Sequence, residues 1–264
     1  MTGLADLAGT DLGVRTATYG DRDVMLYAVA VGAGAGDLDL VYEPHLRVLP
    51  TFALTLGLWA VEAAGGLGAY DRMTSLHAAQ TLDVREPLPA SATVEMSARV
   101  ADVWDKGRAS MVDIAVDCRW FSAVYAIYLP GLGGWGGPRG ESRRATEPVG
   151  AYLRQSYATS RDQAVLYRLT GDRHPVHVDP ATAAGYGLDR PILHGLCTLG
   201  VVTRVAAEAV GEHPAELRRL AARFAAPVYP GDRLDVAAAR ASDGGLTFTA
   251  EVDGAAVLTT GSAR

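Results

Sequence analysis

The sequence predicts an α+β fold in which one structural unit is built twice. Three observations carry this expectation: a buried helical run precedes a series of β-like stretches, the same order returns after a glycine-rich connection, and separated anchors line up at a nearly constant shift. Met25-Leu26-Tyr27 matches Val165-Leu166-Tyr167 at a shift of 140, Pro50 matches Pro191 at 141, and Pro89-Ala90-Ser91 matches Pro230-Gly231-Asp232 at 141.

Residues up to about Gly20 read as an undistinguished lead-in, without the charged start and apolar centre of a signal peptide. From Asp21 a polar start, an apolar run and a glycine stop predict a helix ending near Gly32, followed by a loop to Asp37. Leu38 to Tyr42 reads as a short strand. Pro50 opens a nearly uncharged run to Ala64, a buried helix closed by Gly65-Gly66. Strands are expected near 76–86, 91–104, 108–120 and 122–129, separated by Pro87-Leu88-Pro89 and Asp105-Lys106-Gly107. Residues 131–150 hold seven glycines and then a charged run, the composition of a linker. A second pass follows: a helix over Arg161 to Leu169, a loop, a helix led by Pro191, and three or four strands between Leu217 and Ser262.

Composition narrows the function. With 264 residues, 49% hydrophobic and 20% charged, the chain has enough apolar side chains for sizeable cores. A formal net charge of −6 excludes the broad basic face that nucleic-acid binding requires, and Arg218, Arg219 and Arg223 read as a solvated face of a strand or helix end. No apolar run is long enough to cross a bilayer, so no membrane partner and a cytoplasmic location are expected. Cys118 and Cys197 lie in apolar surroundings without C-x-x-C spacing, which suggests core residues rather than a disulfide or a zinc site.

Possible chemistry is concentrated between Tyr167 and Gly200, which holds three of the six histidines. Asp172 and His177 are separated by Pro175, which fixes its own φ and pushes His174 towards extended geometry, so a bent loop is expected here. Such a loop can aim a carboxylate and an imidazole at one water, as an acid/base pair requires. An isolated D-x-x-x-x-H is more often a plain turn with surface histidines; the longer string around it is what gives it meaning. Pro191-Ile192-Leu193-His194-Gly195 then leads into the apolar run Leu196 to Val210. If Gly195 starts that helix, its N–H is an unpaired first-turn donor suited to an oxyanion, and the missing side chain lets a thioester carbonyl come close.

The string Y-R-L-T-G-D-R-H-P-V-H-V-D-P, followed by G-L-D-R-P-I-L-H-G-L-C-T-L-G, closely resembles the signature of the MaoC-like, (R)-specific type-2 enoyl-CoA hydratases. Further matches are Asp23 to Tyr27, Val41-Tyr42-Glu43, Leu49 to Ala53, Leu76-His77 with Gln80, Asp105-Lys106-Gly107 and Gly133 to Gly137, so the likeness covers most of the chain. The resemblance implies a double hotdog, two long helices each wrapped by an antiparallel sheet. On it, 1–130 is a non-catalytic, substrate-binding hotdog, 131–150 the linker and 151–264 the hotdog with the motif. It also implies reversible addition of water to a trans-2-enoyl thioester, with Asp172 and His177 as the catalytic pair and Gly195 as the backbone oxyanion donor. His174, His194, Pro191 and Tyr167 are expected to contact the substrate. No metal and no cofactor is implied beyond the CoA or phosphopantetheine of an acyl-CoA or acyl-carrier-protein substrate, and the assembly implied is a homodimer. Two alternatives stand beside this: a dehydratase of β-hydroxyacyl carrier-protein or CoA intermediates in polyketide or fatty-acid biosynthesis, and a catalytically weak acyl-binding partner subunit. The third arises because His174 stands where the family has asparagine. Where the family reads L-H-G-E-Q this chain has Ala78-Ala79, which makes His77 a wall residue. By the repeat shift, Asp172, His177, His194 and Gly195 fall on Val31, Gly36, Ala53 and Leu54, so the first copy lacks the motif.

Overall fold

The computed structural model describes residues 3–141 and 145–264. In the first half, β1 (Asp11–Tyr19) is followed by α1 (Asp21–Ala30), α2 (Leu38–Val41), α3 (Ala53–Gly57) and α4 (Trp59–Gly66). Strands β2 (Leu76–Val84), β3 (Ala92–Asp105), β4 (Ala109–Asp117) and β5 (Phe121–Pro130) complete it. The second half repeats the plan with β6 (Pro148–Ala158), α5 (Gln163–Tyr167), α6 (Pro180–Gly185), α7 (Gly195–Ala209), β7 (Arg219–Phe224), β8 (Arg233–Ala241), β9 (Leu246–Val252) and β10 (Ala255–Ala263).

All ten strands form one antiparallel sheet in the order β1-β3-β4-β5-β2-β7-β10-β9-β8-β6. Read outward from the centre, both halves have the same internal order, so the duplication expected from the sequence appears as two helix-in-sheet units, a double hotdog. They meet where β2 pairs with β7, from Ala79 opposite Arg223 to Asp83 opposite Arg219. Joining the two inner edges leaves, among the described residues, only β1 and β6 as edges of the sheet. Arg219 and Arg223 lie exposed on β7, with Arg218 exposed just before it, and Arg219 Nε donates to Asp83 Oδ1 at 2.6 Å across the seam.

Each unit wraps a central helical segment. In the second it is the continuous α7, whose Leu199, Val201, Val202, Val205 and Ala206 are buried. In the first it is interrupted: a 3-10 turn over Pro50–Phe52 leads into α3, and Leu58 separates α3 from α4. There Tyr125 Oη donates to the Leu54 carbonyl at 2.7 Å, and a Cβ on Gly57 would stand 2.6 Å from that hydroxyl. The units also interlock. A Cβ on Gly200 of α7 would lie 2.6 Å from Val31 Cγ1, while Gln163 Nε2 and Arg204 Nε donate to the Ala30 and Val31 carbonyls at 2.6 and 3.3 Å. The end of α1 is thus satisfied by side chains of the other half.

The structure departs from expectation at three places. Leu38 to Val41 is one turn of helix, not a strand: Leu40 is 2% exposed and Leu38 57%, whereas strand alternation would put both on one face. The lead-in contains β1, and β6 begins at Pro148 inside the expected linker. Both are mostly exposed edge strands, so neither carries the apolar alternation that marks a half-buried strand. Residues 142–144 of the linker lie outside the described residues. The glycine-rich part before them is pinned: the Asp105 carboxylate accepts the N–H groups of Gly107, Gly134 and Gly136 at 2.8 to 2.9 Å, and Trp135 Nε1 donates to Ser110 Oγ at 2.9 Å.

Candidate active site

The loop between α5 and α6 is held in shape by its own side chains. Asp172 Oδ1 accepts the His174 N–H at 3.1 Å, and His174 Nδ1 accepts the Val176 N–H at 3.3 Å, capping a 3-10 turn over Pro175–His177. The expected bent loop therefore contains one helical turn. Because Nδ1 of His174 is an acceptor, the neutral ring carries its proton on Nε2, which lies 3.1 Å from Tyr186 Oη. An asparagine side-chain oxygen would make the same cap. The substitution of histidine at this position thus preserves the local backbone, and His174 spends its ring on the loop and on Tyr186.

His177 ends the turn. Its Nδ1 is 2.9 Å from the Ile192 carbonyl, and since a carbonyl only accepts, the proton of the neutral ring sits on Nδ1 and Nε2 is left bare. Nε2 lies 3.9 Å from Asp172 Oδ2, with the two side chains 11% and 20% exposed. That gap is too long for a direct hydrogen bond, but two acceptors so placed can both stand about 2.8 Å from one shared water. Burial lowers the proton affinity of His177, the Asp172 charge and the Ile192 contact raise it, and His174 lowers it. The result is a largely neutral base at physiological pH.

Behind this pair the structure places His194 and Tyr167, both expected to meet substrate but buried here, with exposures of 1% and 0%. His194 stacks on His177, ring centroids 3.6 Å apart and planes 25° apart, with Tyr167 at 4.8 Å. Its Nε2 donates to the Asp172 carbonyl at 3.1 Å, and its buried Nδ1 has no hydrogen-bond partner among the described residues. Asp172, His177 and His194 bring ligand-type atoms within 4.8 Å of one another. Yet the stacked rings, 3.6 Å apart and 25° from parallel, hold their lone pairs in nearly parallel planes, so the two histidines do not aim at one ion as ligands of a metal site must.

Gly195 is the first residue of α7, and its N–H accordingly has no helical acceptor. A Cβ there would meet the Phe224 ring at 3.4 Å. His77 of β2 packs edge-on against the same ring, centroids 4.9 Å apart, and its Nε2 donates to the Ala79 carbonyl at 3.1 Å. Burial pushes its pKa down to about 4, so it serves as a neutral wall from the first half. On the other side of His177 a cleft of about 550 Å³ runs past Val178 and Pro191 to Arg161, Arg190 and Asp232. Arg190 lies over the Tyr229 ring, 4.6 Å from its centre, and pairs with Asp232 at 3.4 Å. The loop and the turn before α7 thus bring Asp172, His177 and Gly195 to one end of that helix, and Pro191 lines the cleft. Sequence reasoning missed the Ile192 carbonyl, Phe224 and the two arginines. A backbone carbonyl leaves no signal in residue identity, Phe224 and Arg161 lie outside the motif, and Arg190, inside it, gives no sign in the sequence that it faces the cleft.

The MFE-2 hydratase 2 N-terminal domain model matches residues 17–122, and the MaoC like domain model matches residues 144–260. The chain is 38% identical over 251 residues to the 3-hydroxyacyl-thioester dehydratase Y of Mycobacterium tuberculosis, covering 89% of this chain and 86% of that protein. It is 36% identical over 236 residues to the enoyl-CoA hydratase ChsH3 of the same organism, covering 83% and 82%. A crystal structure of a MaoC-like dehydratase from Phytophthora capsici superposes with a TM-score of 0.85 at 25% identity, over 95% of this chain and 93% of that one. With both halves matched and relatives aligned over most of their length, this chain belongs to the MaoC-like dehydratase and hydratase 2 family.

Proposed function

We propose that the protein catalyses the reversible, (R)-specific addition of water to a trans-2-enoyl thioester. The observation that carries this reading is the bare Nε2 of His177 facing the Asp172 carboxylate across 3.9 Å, with its Nδ1–H anchored on Ile192 and the free N–H of Gly195 at the start of the next helix. A water held between Asp172 and His177 loses a proton to Nε2 as its oxygen bonds to Cβ. The electron pair of the double bond moves towards the thioester carbonyl, whose oxygen accepts the Gly195 N–H. Cα then takes a proton back from the pair, which restores neutral His177. Acid/base groups of this kind contribute about 10²–10⁴-fold and one oxyanion donor about 10²–10³-fold. No step calls for a metal or redox cofactor; the CoA or phosphopantetheine belongs to the substrate.

Dehydration of 3-hydroxyacyl thioesters is the same reaction in reverse and is favoured as a second reading by the relative named for it. Incubating the enzyme with crotonyl-CoA and resolving the 3-hydroxybutyryl product by chiral chromatography tests the proposal; no hydration, or the (S) product, would sink it. Comparing CoA with carrier-protein thioesters separates the two readings of the carrier. The proposal includes a homodimer, checked by sedimentation of the full chain. A merely acyl-binding subunit is disfavoured, because His174 keeps the loop cap and leaves the dyad in place.

A further inference from the structure

His194 touches both members of the dyad from behind. It lies at the N-cap of α7, where its carbonyl accepts the Thr198 N–H at 3.0 Å, so its backbone is fixed by the helix it precedes. From that position its ring covers one face of His177 at 3.6 Å, and its Nε2–H holds the Asp172 carbonyl at 3.1 Å. The Ile192 carbonyl, two residues earlier in the chain, holds His177 Nδ1. One short turn therefore fixes the tautomer of the base, the plane of its ring and the backbone of the carboxylate.

We propose that His194 is a positioning residue, a cross-brace that sets the Asp172–His177 geometry and must remain uncharged while His177 carries the proton of the reaction. The inference rests on the dyad reading above. Two imidazolium rings stacked at this distance would repel, so protonation of one opposes protonation of the other. The surroundings of His194 exclude its charge. It is packed against Tyr167 and beneath His177, Arg168 and His174 both lower its proton affinity, and burial depresses it most of all. The groups facing His177 itself are Asp172 and His174 from its own loop, His194 from the turn before α7, and Arg161, Arg190 and Asp232 along the cleft. Among these only Asp172 and Asp232 are anionic, and Asp232 is already paired with Arg190. A stacking partner unable to take a charge is therefore compatible with proton transfer at His177 in a way that a titrating one is not.

Two variants divide the brace into its parts. His194→Phe keeps an uncharged ring over His177 and loses the donor to Asp172; His194→Gln keeps an N–H donor and loses the ring. Misplacing a reacting group by a fraction of an ångström to an ångström lowers rate steeply, so each variant should lose about tenfold to a hundredfold in kcat on crotonyl-CoA with KM within about twofold. The His177 titration, followed by ¹⁵N NMR of the free enzyme, should stay depressed in His194→Phe, where the ring remains covered. In His194→Gln it should rise towards the ordinary histidine value, and the acid limb of kcat should rise with it. Unchanged kcat and an unmoved His177 titration in both variants would overturn the proposal. So would activity that falls only in proportion to the folded fraction measured by circular dichroism. If the parent enzyme hydrates no enoyl thioester, the functional reading fails, while the NMR titrations still decide whether His194 governs His177.

Discussion

Replacing Asp172 by asparagine keeps the side-chain volume and an oxygen able to accept the His174 N–H, but removes the charge 3.9 Å from His177 Nε2. At that separation two unit charges interact by about 4 kcal/mol at an effective dielectric constant near 20. This is an upper figure for a pair that keeps some contact with solvent. The Asp172 charge raises the proton affinity of His177 against the opposing effect of burial, so its loss makes the imidazolium formed during water attack less stable. Converted at one decade per 1.36 kcal/mol, the ceiling is about a thousandfold in rate, inside the range expected for a positioned acid/base group. The variant should therefore show kcat on crotonyl-CoA down by about 10²–10³, KM little changed, and the His177 titration moved to lower pH. Disappearance of the enoyl-thioester absorbance gives the rate, and urea unfolding confirms that the fold persists. Turnover within about threefold of the parent, in a folded variant, would refute the pairing of Asp172 with His177 as the engine of the reaction.

The other expectations follow from the same geometry. His177→Ala removes the base and should leave a folded protein with turnover reduced about 10²–10⁴-fold, read in the same assay. Gly195→Ala places a methyl in ordinary contact with Phe224 at the first position of α7, so stability should hold or rise slightly by urea melts. Its rate should fall about tenfold or more because the methyl stands where the thioester oxygen approaches; an unimpaired rate would remove Gly195 from the oxyanion site. His174→Asn retains the cap on Val176 and removes a neighbour that lowers the proton affinity of His177, so kcat should be kept or raised while the His177 titration moves to higher pH; a lost activity would contradict this. Acid stability gives a check independent of catalysis. The pKa of His194 is pushed down to about 2, far below the unfolded value near 6.5, so on acidification the unfolded chain binds a proton that the folded chain refuses. Its contribution is harmless above pH 6.5 and costs about 1.4 kcal/mol for each pH unit below it, or about 2 kcal/mol at pH 5. His194→Phe should lose less stability than the parent between pH 7.5 and pH 5 by that amount in urea titrations; equal losses would show that His194 does not resist protonation.

Much of this architecture was legible because duplication leaves arithmetic. The anchors Tyr27 and Tyr167, or Pro50 and Pro191, are both buried helix-forming positions and turn positions whose spacing survives when the side chains between them diverge. The four strands from Leu76 to Pro130 were legible for a different reason, since they alternate buried and exposed positions between clear turns. Edge strands escape both signals. β1 and β6 face solvent over most of their length, so their residues are chosen against aggregation as much as for burial, and nothing periodic remains. Leu38-Asp39-Leu40-Val41 fits a period of two as well as one helical turn, and only the missing partner strand decides. At the site, residue types and spacing identified Asp172, His177 and Gly195 as companions, but depth in the fold is invisible to a motif. His194 and Tyr167 read as contacts for substrate and lie buried behind the dyad, because the Pro191-led turn folds back beneath the loop and brings its histidine under His177.

The first half carries none of the motif residues, yet it takes part in building the site. Its α1 ends in carbonyls that accept Gln163 and Arg204 of the second half, its Val31 and Tyr27 fill the notch left by Gly200, and its β2 supplies the seam to β7 and the His77 wall against Phe224. Phe224 in turn backs Gly195, the proposed oxyanion donor. A unit freed from holding a dyad can vary at its other positions while these packing and hydrogen-bonding duties stay fixed, whereas the unit with the dyad cannot. Division of labour between two copies of one fold follows from that difference: Val31 and Gly36 stand where Asp172 and His177 fall under the repeat shift, and their loss of chemistry leaves the seam and the buried α1 end intact.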